Sequence, residues 1–227
     1  MTLSIVARDA DARMLGMAIA SSSPAVAARC AHARAGVGVV ATQNITDPVL
    51  GPRLLDALAQ GASANSALAQ VLATTQFGAY RQLLVLGREG PPAVHSGARS
   101  LGIVASACGK HAAAAGNLLA RAEVAGAMIA AFEAASGHLG ARLLQALGAG
   151  AECGGEAGPI HSAALLIVRD VAWPIVDLRV DWADADPVAA LGAIWTIYAP
   201  QIDDYVQRAL DPTHAPAFGV AGVHTQE

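Results

Sequence analysis

The chain has little charge, few aromatic rings and almost no lysine. Of its 227 residues 14% are charged and 4% aromatic, and Lys110 is the only lysine. Fourteen basic residues against 18 acidic ones leave a formal charge of −4, with no basic cluster. That balance argues against nucleic acid as a partner and against docking on an anionic membrane. No uninterrupted apolar run approaches the ~20 residues of a membrane span. The opening MTLSIVARD has no positive leader and sets Arg8 and Asp9 where a signal peptide would be apolar, so a cytoplasmic location is expected. The three cysteines, Cys30, Cys108 and Cys153, are odd in number, far apart and without a CxxC pair. A disulfide framework or structural zinc site is not expected from them, and they read as small hydrophobes. Seven histidines show neither HxxxH nor HExxH spacing, so no metal site is expected. No GxGxxG or GxxxxGK[ST] occurs, which removes the usual phosphate cradles, and no cofactor is expected.

What is present is apolar. Hydrophobic residues make up 54% of the chain, and alanine alone fills 54 positions. This length buries an ample core. The reading is one domain over residues 1–212 and a loose tail over 213–227, rich in Pro, Gly and His. Residues 2–7 and 15–21 alternate as strands around a polar turn, an opening hairpin. A third strand spans 36–43. Gly51-Pro52 starts a helix, and Ser63 caps a second. Strands resume at 81–86 and 93–97, while 102–119 is ambiguous between strand and loop. Helices follow near 121–135 and 139–147, then a glycine-rich break over 148–158. Residues 162–168 and 174–180 form a late hairpin. Asp186-Pro187 opens a final helix to about Leu210, which Pro200 interrupts. Helix pairs between strand groups suggest antiparallel hairpin sheets with helices outside, not strict β-α-β alternation.

The N-terminus carries the most chemistry. Removal of Met1 would leave Thr2 with a hydroxyl and a free α-amine on one residue. An α-amine has a reference pKa near ~7.7–8.0, so it can act as base for its own hydroxyl. A strand that begins at once would hold that residue rigidly. An oxyanion donor is also needed, and losing one typically costs ~10²–10³-fold in rate. Gln43, Asn44 and Asn117 are the candidates, with Thr42 beside them; Ser21, Ser22 and Ser23 follow the second strand and are placed to line a pocket. Arg8 and Arg81 carry planar guanidinium forks that suit a carboxylate. Asp177, Arg179 and Asp181 share one strand face as a mainly structural row.

The blocks MTLSIVARD, LGMAIASSS, AGVGVVATQN, GPRLLDAL, YRQLLVLG, AVHSGAR, AGNLLA, HSAALLIV and VDLRVD occur in order from Thr2 to about Leu210. In this the chain resembles the bacterial DUF1028 family. The resemblance implies an α+β fold of the N-terminal nucleophile (Ntn) hydrolase type, a four-layer αββα sandwich of two antiparallel sheets with helices outside. It implies Thr2 as the nucleophile on a small amide or related C–N bond. The family segment before the late apolar strand usually reads Gly-Arg-Gln-Ser; here it is Pro159-Ile160-His161-Ser162. An arginine is thus missing at Ile160, and an imidazole stands at His161, where it can act as a local acid/base.

Two other readings stand beside this one. The fold can serve as a non-catalytic module that binds a small molecule. An enzyme that keeps Met1 can instead place its chemistry on internal His95 or His161. In each reading the partner is a small molecule. Ile194, Trp195, Tyr198 and Ile202 fall at helical spacing and suggest a core or subunit face, so a homo-oligomer, a dimer, is expected.

Overall fold

The structure is a computed structural model that describes residues 1–217. In chain order the elements are β1 (Thr2–Arg8), β2 (Leu15–Ser21), α1 (Ala27–Cys30), β3 (Ala31–Arg34), β4 (Gly38–Asn44), α2 (Leu50–Ala59), α3 (Ala64–Ala73), β5 (Arg81–Gly87), β6 (Ala93–Ser96), β7 (Ile103–Cys108), β8 (Ala112–Leu119), α4 (Val124–Ala134), α5 (Leu139–Glu152), β9 (Ser162–Val168), β10 (Val176–Val180), α6 (Pro187–Tyr198) and α7 (Ile202–Leu210). The strands form two antiparallel sheets, a six-stranded one in the order β10-β9-β2-β1-β8-β7 and a four-stranded one in the order β3-β4-β5-β6.

Alternation along each strand builds the layers. On β1, Leu3, Ile5 and Ala7 pack with Met128, Phe132, Leu143 and Leu147 of α4 and α5. Val6, between them, joins Leu15, Met17, Ile19, Val39, Leu84, Leu86 and Leu166 in the space between the sheets. Val40, Leu83 and Val85 face the opposite way, into Leu50, Leu54, Leu68 and Val71 of α2 and α3. Helices therefore cover both outer sheet faces, and the fold is the four-layer αββα sandwich expected. Each fully buried Leu or Ile in these layers is worth roughly 1.5–3 kcal/mol by transfer.

Local signals explain most element ends. The Ser63 side chain accepts from Ser66 N at the start of α3, and Asp186 accepts from Val188 N and Ala189 N at the start of α6. Pro200 sits in a 3₁₀ turn, Ala199–Gln201, that separates α6 from α7. The ambiguous 102–119 stretch is a hairpin, β7 and β8. The short strand β3 has no counterpart in the sequence reading. The break placed at 148–158 begins later, because α5 runs through Gly148 and Gly150 to Glu152. Gly150 is helical for a packing reason: a Cβ there would lie 2.7 Å from Met128 Cγ and 3.0 Å from Leu3 Cδ1. The chain turns at Gly154 and Gly155, whose φ of 125° and 59° suit glycine. Trp195 and Ile202 belong to the core rather than to a free face, since Trp195 covers Gly140 and Ile202 is buried. Of the tail expected after Pro212, residues 218–227 lie outside the described residues.

Candidate functional site

Pleating puts Thr2 and Ser4 on the Val6 face of β1, toward the four-stranded sheet. Asn117 stands across from Thr2 on β8, and Ser21 ends β2 on the other side. The inter-sheet space, apolar in its middle, is polar at this end. Ser4 Oγ donates to Gln43 Oε1 at 2.7 Å, and Gln43 Nε2 donates to Gln82 Oε1 at 2.7 Å and to Ala115 O at 3.2 Å. Gln82 Nε2 donates to Ser96 Oγ and to Gly116 O, each at 3.0 Å, and Asn117 Nδ2 donates to Gln82 Oε1 at 3.1 Å. Ser4, Gln43, Gln82 and Asn117 are all buried. The paired amides satisfy one another, which is what makes their burial tolerable. Both Gln43 amide hydrogens are thus spent, while Asn117 Nδ2 carries one more than Gln82 takes.

At Thr2 itself, Oγ1 donates to the Met1 carbonyl oxygen at 2.5 Å, and Ser21 Oγ reaches the same oxygen at 2.5 Å. Ser21 Oγ also receives Ser23 N at 3.1 Å and lies 2.8 Å from Ser23 Oγ, which in turn receives Arg29 Nη2 at 2.6 Å. A carbonyl only accepts, so the Ser21 proton points at Met1 O and the Ser23 hydroxyl donates to Ser21. The result is a donor chain, Arg29 to Ser23 to Ser21, that ends on the carbonyl preceding Thr2.

Glu156 completes this end of the molecule. It follows the Gly154-Gly155 turn and is only 5% exposed. Its Oε2 accepts Ser22 N at 2.9 Å, while its buried Oε1 has no hydrogen-bond partner. Burial pushes its carboxyl up to about 7, against the opposing pull of the N-terminal ammonium, the Ser22 bond and His161. His161 stacks on Trp182 with ring centroids 4.2 Å apart. Its Nδ1 lies 2.9 Å from Ala183 O, so Nδ1 carries the hydrogen and Nε2 is the nitrogen left over.

Among the residues singled out in the sequence, Thr2, Ser21, Ser22, Gln43, Asn117 and His161 come together here, Ser22 through its backbone. Most of the others are engaged in holding backbone. Thr42 Oγ1 donates to Arg29 O at 3.2 Å. Asn44, at φ 72°, donates to Tyr80 O at 2.5 Å and accepts Leu101 N at 3.1 Å. Arg81 holds Ile45 O and lies 3.9 Å from Asp47, and His95 Nε2 is 3.0 Å from Gly78 O. Arg8, at the far end of β1, takes no carboxylate; it donates to Gly87 O at 2.8 Å and Gly90 O at 2.7 Å. Arg179 forms a two-pronged pair with Asp177 at 2.7 and 2.9 Å. The sequence reading passed over Ser4, Gln82 and Glu156. Glu156 had one usable signal, an acid directly after two glycines in Cys153-Gly154-Gly155-Glu156.

Two stacked antiparallel sheets carry helices on both outer faces, and the first residues of the chain lie on a central strand. The chain belongs to a family of unknown function, DUF1028, whose model matches residues 2–191. It is similar to a crystal structure from Silicibacter pomeroyi assigned to that family, with 29% identity and a TM-score of 0.82 over 89% of this chain and 94% of the other. Eukaryotic HslV from Trypanosoma brucei overlaps it at 11% identity and a TM-score of 0.45, over 74% of this chain and 99% of that one. A Thiobacillus denitrificans BPH in complex with epoxomicin overlaps at 18% identity and 0.40, over 75% and 100%. The last two overlaps are too loose to carry weight. No curated protein matches the chain. Among the described residues, no helix is long and apolar enough to cross a membrane.

Proposed function

We propose that the protein is a hydrolase of a small amide or related C–N bond, with Thr2 as its nucleophile once the peptide bond before Thr2 is cut. One observation carries this reading. The Thr2 hydroxyl sits at the start of a central strand, 2.5 Å from a carbonyl oxygen that a second hydroxyl, Ser21, also reaches at 2.5 Å. The hydroxyl proposed as nucleophile and the one proposed as oxyanion donor thus meet at one carbonyl oxygen.

The freed α-amine of Thr2 takes the Oγ1 proton as Oγ1 attacks the substrate carbonyl carbon. The developing oxyanion is held by Ser21 Oγ–H, with the spare Asn117 Nδ2 hydrogen across from Thr2. As the C–N bond breaks, the leaving amine takes the proton from the Thr2 ammonium. Water then adds to the Thr2 ester, the Oγ1–C bond breaks, and acid leaves as the hydroxyl is restored. His161 forms the outer wall, with Nε2 as a local proton acceptor. A second copy of the chain is part of the same reading, supported by Ile197 and Leu210, 70% and 61% exposed on α6 and α7; sedimentation showing only monomer at micromolar concentration would remove it. So is action in the cytoplasm on a small-molecule substrate.

The test begins with intact mass, to show whether Met1 is lost. A screen of small amides follows, with Thr2→Ala beside the parent. Turnover should fall by about 10³-fold or more in Thr2→Ala. Full activity in that variant, or turnover by protein that retains Met1, refutes the mechanism and directs attention to His161.

A further inference from the structure

Met1 is only partly exposed, although it is the first residue. Its carbonyl oxygen is held by Ser21 and Thr2. Its side chain lies on Gly158, where a Cβ would come within 2.8 Å of Met1 Cε and 3.5 Å of Sδ. Its ammonium interacts electrostatically with Glu156, though the two do not form a direct ion pair. A cavity of about 270 Å³ adjoins this place, lined by Glu156, Gly158, Ile160, Asp186, Pro187 and Val188 among others.

These contacts define a mould. N, Cα, Cβ and Oγ1 of Thr2 are consecutive atoms, so an acyl group on Oγ1 stands close to where Met1 stands on N. We propose that Met1 marks the acyl subsite, and that the substrates are α-aminoacyl amides: the free α-ammonium faces Glu156, an unbranched apolar side chain lies over Gly158, and the carbonyl oxygen meets Ser21 Oγ. The proposal rests on Thr2 as nucleophile and adds which acyl group is accepted. Glu156 supports it. It is buried and keeps Oε1 unpartnered, and a buried polar group without a partner is costly to keep. A substrate ammonium supplies that partner, whereas an N-acylated substrate brings no charge and leaves the carboxylate unpaired. The chemistry is the step already written: the acyl C–N bond breaks, Oγ1–C forms, and water returns Thr2 and a free α-amino acid.

The experiment uses the Thr2→Ala chain without Met1, released from an N-terminal fusion, so that the probe is not consumed. L-Methioninamide and N-acetyl-L-methioninamide are titrated calorimetrically. The free amine should bind at least about 10-fold more tightly, and Glu156→Gln should shrink that preference to about two-fold or less. Gly158→Ala, which narrows the floor and leaves Glu156 intact, should weaken methioninamide relative to glycinamide. Equal or tighter binding of the acetylated probe, or a preference that survives Glu156→Gln, overturns the proposal. The two readings fail separately. Thr2-dependent cleavage of acylated and free-amine anilides at equal rates sinks the subsite and spares the nucleophile. A Glu156-dependent binding preference without Thr2-dependent turnover does the reverse.

Discussion

Replacing Glu156 by glutamine should stabilise the fold above neutral pH and cost it about 1 kcal/mol in acid. The folded state holds the Glu156 proton up to about 7, against an ordinary value of 4.5, chiefly because the carboxyl is buried. Between those two pH values the folded chain binds more protons than the unfolded one, so unfolding free energy falls as pH rises. Below 4.5 the group is neutral in both states and costs nothing. Above 7 the full penalty is present, and at about 1.4 kcal/mol per pH unit it amounts to about 3 kcal/mol. Glutamine keeps an acceptor for Ser22 N and carries no charge, but its amide stands where Oε1 has no partner, which returns about 1 kcal/mol. The net gain expected at pH 8 is therefore about 2 kcal/mol. His32 and His138 act with the opposite sign. Burial lowers both, so the stability they contribute is lost as pH falls below about 6.5. They are common to both proteins and cancel in the difference. Urea unfolding at pH 4.5, 6 and 8 reads it directly. Parallel pH profiles, or a variant less stable at pH 8, would refute the placement of Glu156 as a buried, incompletely satisfied carboxyl.

Ser21→Ala should cut turnover of a Thr2-dependent amide substrate by ~10²–10³-fold through kcat and cost about 1 kcal/mol of stability, because Ser23 N loses its acceptor; a change confined to KM contradicts the oxyanion role. Gln82→Leu removes the group that joins Gln43, Asn117, Ser96 and Gly116 O, and buries apolar surface against their freed amides. A loss of about 2–4 kcal/mol is expected in denaturant unfolding, and an unchanged midpoint would show that the network is dispensable. Asp186→Ala strips the two backbone bonds that cap α6 and should cost about 1 kcal/mol.

The layers were legible because their causes are local. Alternation in TLSIVAR and LGMAIAS marks two strands whatever surrounds them, and Ser63 and Asp186 announce helix starts by their own side chains. The errors fall where a distant partner decides. Gly148 and Gly150 read as a break, yet Met128 and Leu3 press so closely on Gly150 that only glycine lets α5 pass. The alanine-rich 112–119 stretch has weak strand propensity, and pairing with β1 and β7 on its two sides makes it one. Arg8 offered a fork for a carboxylate, but two loop carbonyls took it.

The site follows the same division. Thr2, Ser21 and Asn117 were singled out because strand ends and the family resemblance point to them. Glu156 was not, since nothing near it in sequence shows that Leu118, at φ 51°, turns its carbonyl to Ala157 N and draws the Glu156 loop against Ser22. The pleat that puts Val6 into the apolar space between the sheets also puts Ser4 and Thr2 on that face. Two residues from the edge, the core must therefore change from hydrocarbon to hydrogen bonds. Gln43 and Gln82 make that change possible by satisfying each other and the β8 carbonyls. Thr2 is thereby seated on a rigid polar floor rather than on a fraying end. The Thr2 hydroxyl held this way points at the Met1 carbonyl oxygen that Ser21 also holds.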